Sequence, residues 1–497
     1  MLNLFASWLS LAIMIGTGFF FTPYLLNRLG PEAYGMVPLV TMIVSYFSLL
    51  TQTAGSAISR HLTVAFNSDR PDQASKFFGS ALYACAVLTL LLVVPLTFVS
   101  LYIDRLVSVP ESLELRTQFL CATTSLGFLF TVLSTPFQAV LFSRNKIFIN
   151  SFGTILQTVL RVGFVVFAFS AIAVDLAYLS IGILLGATAS IVLCCVAVFY
   201  LIPDLKVGYT RPDWHFITDI SGTAGGLILL QMGTVLLLST DILLANRWFG
   251  TVESGYYAAA IQLAVLLRLV GMNTAVVFTP TILNLHARKD IPTLVSYTKQ
   301  AMKYLGMAMA IPAGMVCGGA HEILTIWLGP NLAPMSMALL LLTAPVVINN
   351  AILPIFSISL AANKTGLPGI LTLVLGVVHV GFAYILAVHL KLGVNGIALS
   401  LALIQTLKNL VFTPIYAAMN IDKPWHIFLP PLVLPTVLAI VVAIATHLVL
   451  AEVIVTSLVP LLALFCLVGS AAVLLAFALL TQKERRDLFV QLKLIRA

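Results

Sequence analysis

Long apolar runs alternate with short polar connections along the whole chain. We segment fourteen runs, and each is long enough to cross a bilayer as a helix, since about 20 apolar residues span the hydrocarbon core. The pattern predicts an all-α polytopic membrane protein with about fourteen transmembrane helices. The spans cover roughly residues 4–27, 36–59, 77–102, 118–142, 148–172, 176–201, 217–246, 255–284, 301–328, 335–361, 367–389, 395–418, 427–449 and 454–480.

Composition supports this class of protein. Of the 497 residues, 60% are hydrophobic and only 9% are charged, with a mean hydropathy of +1.06. A soluble domain is about 25% charged. The first run lacks the basic start and the small-residue cleavage site of a signal peptide, so we interpret it as a retained span.

The net charge of +8 follows a membrane topology. Of the 26 Lys and Arg residues, 18 fall on even-numbered connections or the C-terminal tail, with Lys303 at the edge of the ninth span counted as part of a connection, and 5 fall on odd-numbered connections. Cytoplasmic connections carry the basic excess in membrane proteins, so both termini are predicted to be cytoplasmic. The charge is thus explained without a nucleic-acid partner.

An internal repeat organises the chain. Four stretches return later in the same order, at offsets between 218 and 222 residues. They are "LLNRLGPEAYG" with "LLANRWFGTVESGYY", "TPFQAVLFSRNK" with "LPIFSISLAANK", "RVGF" with "HVGF", and "DLAYLS" with "NGIALS". The first pair forms outer hairpins, in which the tyrosines are expected at the membrane interface.

The repeat predicts three parts. Residues 1–203 form a first lobe of six helices, residues 204–425 form a second lobe in the same orientation, and residues 426–497 add two helices and a basic cytoplasmic tail. Parallel repeats are a transporter architecture, with the substrate site between the halves. Alternatively, the duplication only built a larger membrane scaffold.

Three basic residues, Arg161, Arg268 and Lys408, lie inside predicted spans. A charge at a helix centre costs about 2.5–3.5 kcal/mol on insertion, so such residues indicate function. The clear acid within a span is Asp241. The surplus of positive charge favours an anionic substrate.

Other polar residues share helix faces with two of these basic residues. Gln157 and Arg161 share one face at helical spacing, as do Gln405, Lys408 and Asn409. A cavity between the two lobes would give these faces a common wet surface. The predicted substrate-binding residues are Arg161, Arg268, Lys408, Gln157, Gln405 and Asn409.

The roles of Asp241 and His379 can each be interpreted in two ways. His379 is the repeat partner of Arg161, and the two could hold helices together by hydrogen bonds. Asp241 could simply neutralise a neighbouring arginine. Alternatively, Asp241 and His379 take part in ion coupling.

Catalytic signatures are missing from the sequence. It contains no GxSxG, HExxH or Walker A pattern, and its connections are too short for a catalytic domain. No metal site or cofactor is predicted, and the protein is not expected to be an enzyme. Transport would draw on an ion gradient, the membrane potential or a downhill substrate.

The first hairpin and its repeat carry a family resemblance. "TPYLLNRLGPEAYG", followed by "YFSLLTQTAGSAISRHL", and later "TDILLANRWFGTVESGYYAAAIQL" resemble Wzx-type polysaccharide and O-antigen flippases. These proteins belong to the multidrug/oligosaccharidyl-lipid/polysaccharide (MOP) superfamily. One departure is that Gln52 and Thr53 stand where an acid is expected, so no charge relay is assigned there.

The resemblance implies two six-helix lobes in a V around a cationic cavity, in the bacterial inner membrane. The implied substrate is a polyprenyl-diphosphate-linked oligosaccharide, moved to the outer leaflet for O-antigen, capsule or exopolysaccharide assembly. Implied partners are membrane lipids, a polysaccharide polymerase and chain-length proteins. Arg161, Arg268 and Lys408 would receive the diphosphate.

Three rival functions stay open. A lipid II flippase or a cation-coupled multidrug exporter would share the superfamily. A membrane polysaccharide polymerase or ligase would share the apolar composition, but it would be expected to carry a large external loop and no twofold repeat.

Overall fold

The computed structural model describes residues 2–67, 71–202, 205, 229–453, 455–482 and 484–485. Every regular element in these ranges is helical, which confirms the all-α prediction. The helices are α1 Leu2–Asn67, α2 Pro71–Leu101, α3 Ile103–Leu106, α4 Glu114–Ser143, α5 Ile147–Ala171, α6 Leu176–Leu201, α7 Leu229–Ser239, α8 Asp241–Phe249, α9 Thr251–Ala260, α10 Gln262–Ala275, α11 Thr279–Ala287, α12 Ile291–Gly318, α13 Ala320–Trp327, α14 Ser336–Thr343, α15 Val346–Ala351, α16 Leu353–Ala361, α17 Gly366–Tyr384, α18 Val394–Leu407, α19 Thr413–Met419, α20 Pro430–Glu452 and α21 Leu458–Ala478.

Several helices are joined by tighter or wider turns. Two π-helical turns, Ile385–His389 and Lys408–Phe412, extend α17 and link α18 to α19. Such turns insert an extra residue into a helical turn and occur often at functional sites. Short 3₁₀ turns cover Glu111–Leu113, Val276–Phe278, Pro330–Met335 and Trp425–Phe428.

The number of spans agrees approximately with the prediction. Among the described residues, twelve helices are long and apolar enough to cross a membrane, or thirteen if the bent pair α7–α8 is one span. Helix α1 counts once, although Gly30 interrupts it at φ 79° and ψ 166°. That break falls where the sequence places the hairpin between the first two spans.

The repeat recurs in the backbone conformation. Gly30 and Gly250 both have a positive φ, at 79° and 88°. Asn145 and Asn363 also share the left-handed region, at 58° and 54°. Glycine and asparagine enter this region most readily, so the same residues end helices in both halves.

The chain divides into two compact units. The first comprises Met1–Ala259 and Thr365–Ile397, and the second comprises Ala260–Lys364 and Ala398–Ala497. These units are defined by contacts within the chain, whereas the predicted lobes follow the repeat. The boundaries 1–203, 204–425 and 426–497 therefore stay a prediction.

In the first unit, α1, α2, α4 and α6 enclose an apolar core around Leu62, Phe78, Val140 and Val198. The N-terminus lies against the α4–α5 turn, because Asn3 Nδ2 donates to Asn145 O (2.8 Å) and Asn3 Oδ1 accepts from Phe148 N (3.0 Å). This places the N-terminus and the fourth connection at the same end of the unit, as the topology requires.

In the second unit, α12 packs along α20, and buried side chains such as Met302, Ile355 and Phe428 form its core. Lys303 on α12 binds Glu484 (2.6 Å), just after α21. The basic tail beyond residue 485, the start of the predicted second lobe at 206–228 and the side chains of Gln52 and Thr53 lie outside the described residues.

Candidate functional site

The first polar site begins at a bend within a span. Helices α7 and α8 meet at an angle of 43°, and Asp241 is the first residue of α8. A carboxylate is favourable at a helix N-terminus, where backbone N–H groups have no partner within the helix. The bend also turns Asp241 towards α17.

Helix α17 approaches α7 closely because two glycines leave room. A Cβ at Gly233 would overlap the backbone of α17 at Thr372 and Leu373, and one at Gly376 would lie 3.0 Å from the Leu236 side chain. Small residues allow transmembrane helices to pack backbone against backbone. This contact brings His379, one turn beyond Gly376, to the bend.

Asp241, His379 and Tyr257 form a buried cluster, here called the Asp241 cluster. His379 Nε2 donates to Asp241 Oδ1 (2.8 Å), and the Tyr257 hydroxyl donates to Asp241 Oδ2 (3.0 Å). Asp241 is 2% exposed, and the other two side chains are fully buried. Both carboxylate oxygens therefore have a donor, as a buried carboxylate requires.

The Asp241 cluster joins residues that are far apart in sequence. Among the described residues, Asp241 pairs with His379, 138 positions away. The contact is an ion pair if His379 is protonated and a hydrogen bond from a neutral imidazole if it is not. The role of these two residues in ion coupling stays a prediction.

Arg161 occupies the corresponding place on α5, but its surroundings differ. Its side chain is half-buried, and its Nε atom is buried without a hydrogen-bond partner among the described residues. Burying an arginine nitrogen without a partner is costly, so such an atom needs an explanation.

Packing against α6 fixes the position of Arg161. A Cβ at Gly186 would lie 2.5 Å from Gln157 O, and one at Gly182 would lie 3.2 Å from Arg161 O. Gly182 and Gly186 thus form a GxxxG contact that holds the polar face of α5 to α6. Asn150, on the same face, is used in packing because its Nδ2 donates to Gln138 O (3.2 Å).

The other predicted cations lie in the second unit. Arg268 is on α10, and Lys408 opens the π-helical turn after α18. Both side chains are half-buried, as is Gln405, whereas Asn409 is buried. The structure therefore places Arg161 in one compact unit and Arg268, Gln405, Lys408 and Asn409 in the other, so a common site stays a prediction.

Sequence reasoning missed three residues at these sites. Asn349 and Asn350 lie on α15 and hydrogen-bond towards the Lys408 and Arg268 helices, as described below. Their signal was two consecutive amides within the apolar run "LLLLTAPVVINNAILP". The third is Tyr257, which is fully buried and donates to Asp241.

Metal ligands do not cluster in the described part of the chain, where no group of three or more His, Cys, Asp or Glu residues could hold an ion.

Comparison with known proteins assigns the chain to a family. A profile of the polysaccharide biosynthesis protein family matches residues 5–286, more than half of the chain. The chain belongs to this family. The uncharacterized membrane protein EpsK of Bacillus subtilis (strain 168) is 29% identical over 490 residues, covering 99% of this chain and 97% of EpsK.

Solved structures show that this member of the polysaccharide biosynthesis protein family shares the MOP fold. The lipid II flippase MurJ, in an inward closed conformation, superposes with a TM-score of 0.71 at 17% identity, over 98% of this chain and 99% of MurJ. An inward-facing multidrug resistance MATE transporter of the MOP superfamily gives 0.66 at 13% identity, over 82% and 94%. These likenesses show that the chain has the same fold as these transporters.

Proposed function

We propose that this protein is a flippase. It moves polyprenyl-diphosphate-linked oligosaccharide repeat units from the cytoplasmic to the outer leaflet of a bacterial inner membrane, for O-antigen, capsule or exopolysaccharide assembly. Membership of the polysaccharide biosynthesis protein family and the MOP fold support a lipid-linked glycan as substrate.

Arg161 is the observation that carries the proposal. Its buried Nε has no hydrogen-bond partner among the described residues, although it lies in an apolar helix where a charge is costly. A bound anion would supply the missing acceptor. The planar guanidinium matches the paired oxygens of a phosphate, and such charged hydrogen bonds are strong.

Arg268 and Lys408 complete the proposed diphosphate site, since a diphosphate carries several negative charges. Gln157, Gln405 and Asn409 supply amides that can bind phosphate oxygens or sugar hydroxyls. Translocation proceeds by alternating access of the two six-helix lobes, residues 1–203 and 204–425.

Asp241 and His379 provide the ion coupling in this proposal. Protonation of the His379 imidazole beside the Asp241 carboxylate changes the net charge of the pair from −1 to 0 and converts a hydrogen bond from a neutral donor into an ion pair. A buried change of this size can favour one conformation of the transporter over another, because the low dielectric strengthens electrostatic interactions.

A lipid II flippase is the second candidate, and one observation favours it over a multidrug exporter. MurJ matches 98% of this chain, whereas the MATE transporter matches 82%. Both flippase functions place a diphosphate on the same cations and differ in the glycan. A polymerase, chain-length proteins and membrane lipids are the proposed partners, and both termini are proposed to be cytoplasmic.

Reconstitution in liposomes tests the function. We expect the purified protein to translocate a fluorescent polyprenyl-diphosphate-linked oligosaccharide, and Arg161→Gln to reduce this transport at least about tenfold. Arg247→Gln, which changes an exposed arginine, is the matched control and should transport normally. Transport of organic cations without transport of the lipid-linked sugar would contradict the proposal.

A further inference from the structure

Two adjacent buried asparagines connect the helices that carry Arg268 and Lys408. Asn349 and Asn350, here called the asparagine pair, lie on the six-residue helix α15. They are 7% and 2% exposed. Buried amides are costly unless they are hydrogen-bonded, so the partners of this pair indicate its role.

The first partner lies beside Arg268. Asn350 Nδ2 donates to Leu267 O (3.2 Å), the carbonyl that immediately precedes Arg268 on α10. The amide reaches this carbonyl because position 271 is glycine, where a Cβ would overlap the Asn350 side chain. Helix α10 is thereby fixed against α15 at the level of Arg268.

The second partner lies beside Lys408. Asn409 Nδ2 donates to Asn349 Oδ1 (2.9 Å), between two buried side chains. Lys408 opens the π-helical turn at this point, and its carbonyl accepts from the N–H of Thr413. Asn409 directly follows Lys408 in this turn, so its bond to Asn349 holds the backbone next to Lys408 against α15.

The asparagine pair itself brings no charge to the two cations. The helices α10, α15 and α18 and the turn Lys408–Phe412 contain no Asp or Glu. Carboxylates in these places would hold the helices equally well, but they would compete with an anionic ligand for the cations. Neutral amides supply the geometry alone.

We propose that Asn349 and Asn350 are positioning residues, which set the separation and direction of Lys408 and Arg268 for a diphosphate group. The inference rests on the proposed function, because it assumes that these cations bind a diphosphate. It adds two residues that act through their neighbours and do not touch the ligand.

A double-mutant cycle tests the pair, with farnesyl diphosphate as the probe and farnesol as the probe without phosphate. Binding is measured on the full-length protein in nanodiscs. We expect Asn349→Ala to weaken farnesyl diphosphate binding about fivefold to tenfold, the size of one hydrogen bond. In a Lys408→Gln background the same change should weaken binding less than about twofold, because its effect passes through Lys408.

Three further variants keep the test decisive. Asn409→Ala breaks the same bond from its other side, and it should weaken binding at least as much as Asn349→Ala because Asn409 is also a proposed ligand-binding residue. Asn273→Ala removes an exposed amide that bonds within α10 to Leu269 O, and it should leave binding unchanged. Asn350→Ala should depend in the same way on Arg268.

The outcomes separate the inference from the function beneath it. An equal loss of affinity in both backgrounds, no loss in either, or failure of both asparagine variants to fold would show a purely structural role and overturn the inference. Wild-type protein that binds farnesyl diphosphate no better than farnesol would overturn the proposed function as well.

Discussion

Arg161 and His379 occupy equivalent positions in the two halves of the repeat, 218 residues apart, but they are used differently. His379 is fully buried and bonded to Asp241, whereas the buried Nε of Arg161 has no partner among the described residues. The histidine is satisfied by the protein itself. The Nε–H group of Arg161 is left as a donor for the proposed anionic ligand.

The difference between Arg161 and His379 follows from the residue at the equivalent position on another helix in each half. Aligning Asn27-Arg28 with Asn246-Arg247 places Thr22 at the position of Asp241, so the first half has a neutral residue where the second has an acid. Duplication preserved the turns at Gly30 and Gly250. It did not preserve the residue that faces this position, and that divergence separates the proposed ligand-binding role of Arg161 from the proposed coupling role of His379.

The largest effect is expected from Arg161→Gln. Losing a charged hydrogen bond to phosphate should reduce transport at least about tenfold. The free energy of unfolding should stay the same or rise, because no internal partner is lost and a costly buried charge is removed. Transport in liposomes and thermal unfolding in detergent measure both quantities. A variant that loses stability as well as transport would place Arg161 alongside His379 as a structural residue.

Gly186→Ala tests whether packing against α6 positions Arg161. A Cβ there would lie 2.5 Å from Gln157 O, so overpacking should destabilise the protein by about 1–3 kcal/mol and reduce transport. Gly163→Ala, with nothing within 4 Å of the added Cβ, is the matched control. Thermal unfolding compares the two variants. Equal melting temperatures would show that the α5–α6 contact accommodates the added methyl group without loss of stability.

Asp241→Ala should affect stability where Arg161→Gln does not. Two buried donors, His379 Nε2 and the Tyr257 hydroxyl, lose their acceptor, and interhelical bonds of this kind contribute about 0.6–1.7 kcal/mol each. Denaturation in detergent measures the loss, and a double mutant with His379→Ala measures the coupling energy. Additive losses in the double mutant would mean that the two residues do not interact.

Tyr257→Phe should have the smallest effect. It removes the hydroxyl that donates to Asp241 Oδ2, and it keeps the aromatic ring and the hydrogen bond between His379 and Asp241. We expect a loss of less than about 1 kcal/mol in unfolding free energy and an unchanged pH profile of transport. A shifted pH profile would instead make Tyr257 part of the coupling group.

The sequence predicted the helical architecture well for a physical reason. A bilayer requires long apolar helices, and the hairpin turns need residues such as Gly30 that adopt a positive φ. The bend before Asp241 and the π-helical turn at Lys408 were not predicted, because packing against neighbouring helices decides them.

The candidate sites were predicted residue by residue but not as contacts. Asp241 and His379 were singled out, yet their separation of 138 residues hides the bond between them. Asn349 and Asn350 were missed because amides within a span carry no charge signal, and only the structure shows that they meet Leu267 O and Asn409.

The most direct test measures transport of a polyprenyl-diphosphate-linked oligosaccharide against pH for wild type, Arg161→Gln and Asp241→Asn in the same liposomes. The account predicts that Arg161→Gln lowers the rate at every pH and keeps the wild-type profile, whereas Asp241→Asn binds the substrate normally and loses the pH dependence. No transport by the wild type, or a loss of substrate binding in Asp241→Asn with normal binding in Arg161→Gln, would contradict it.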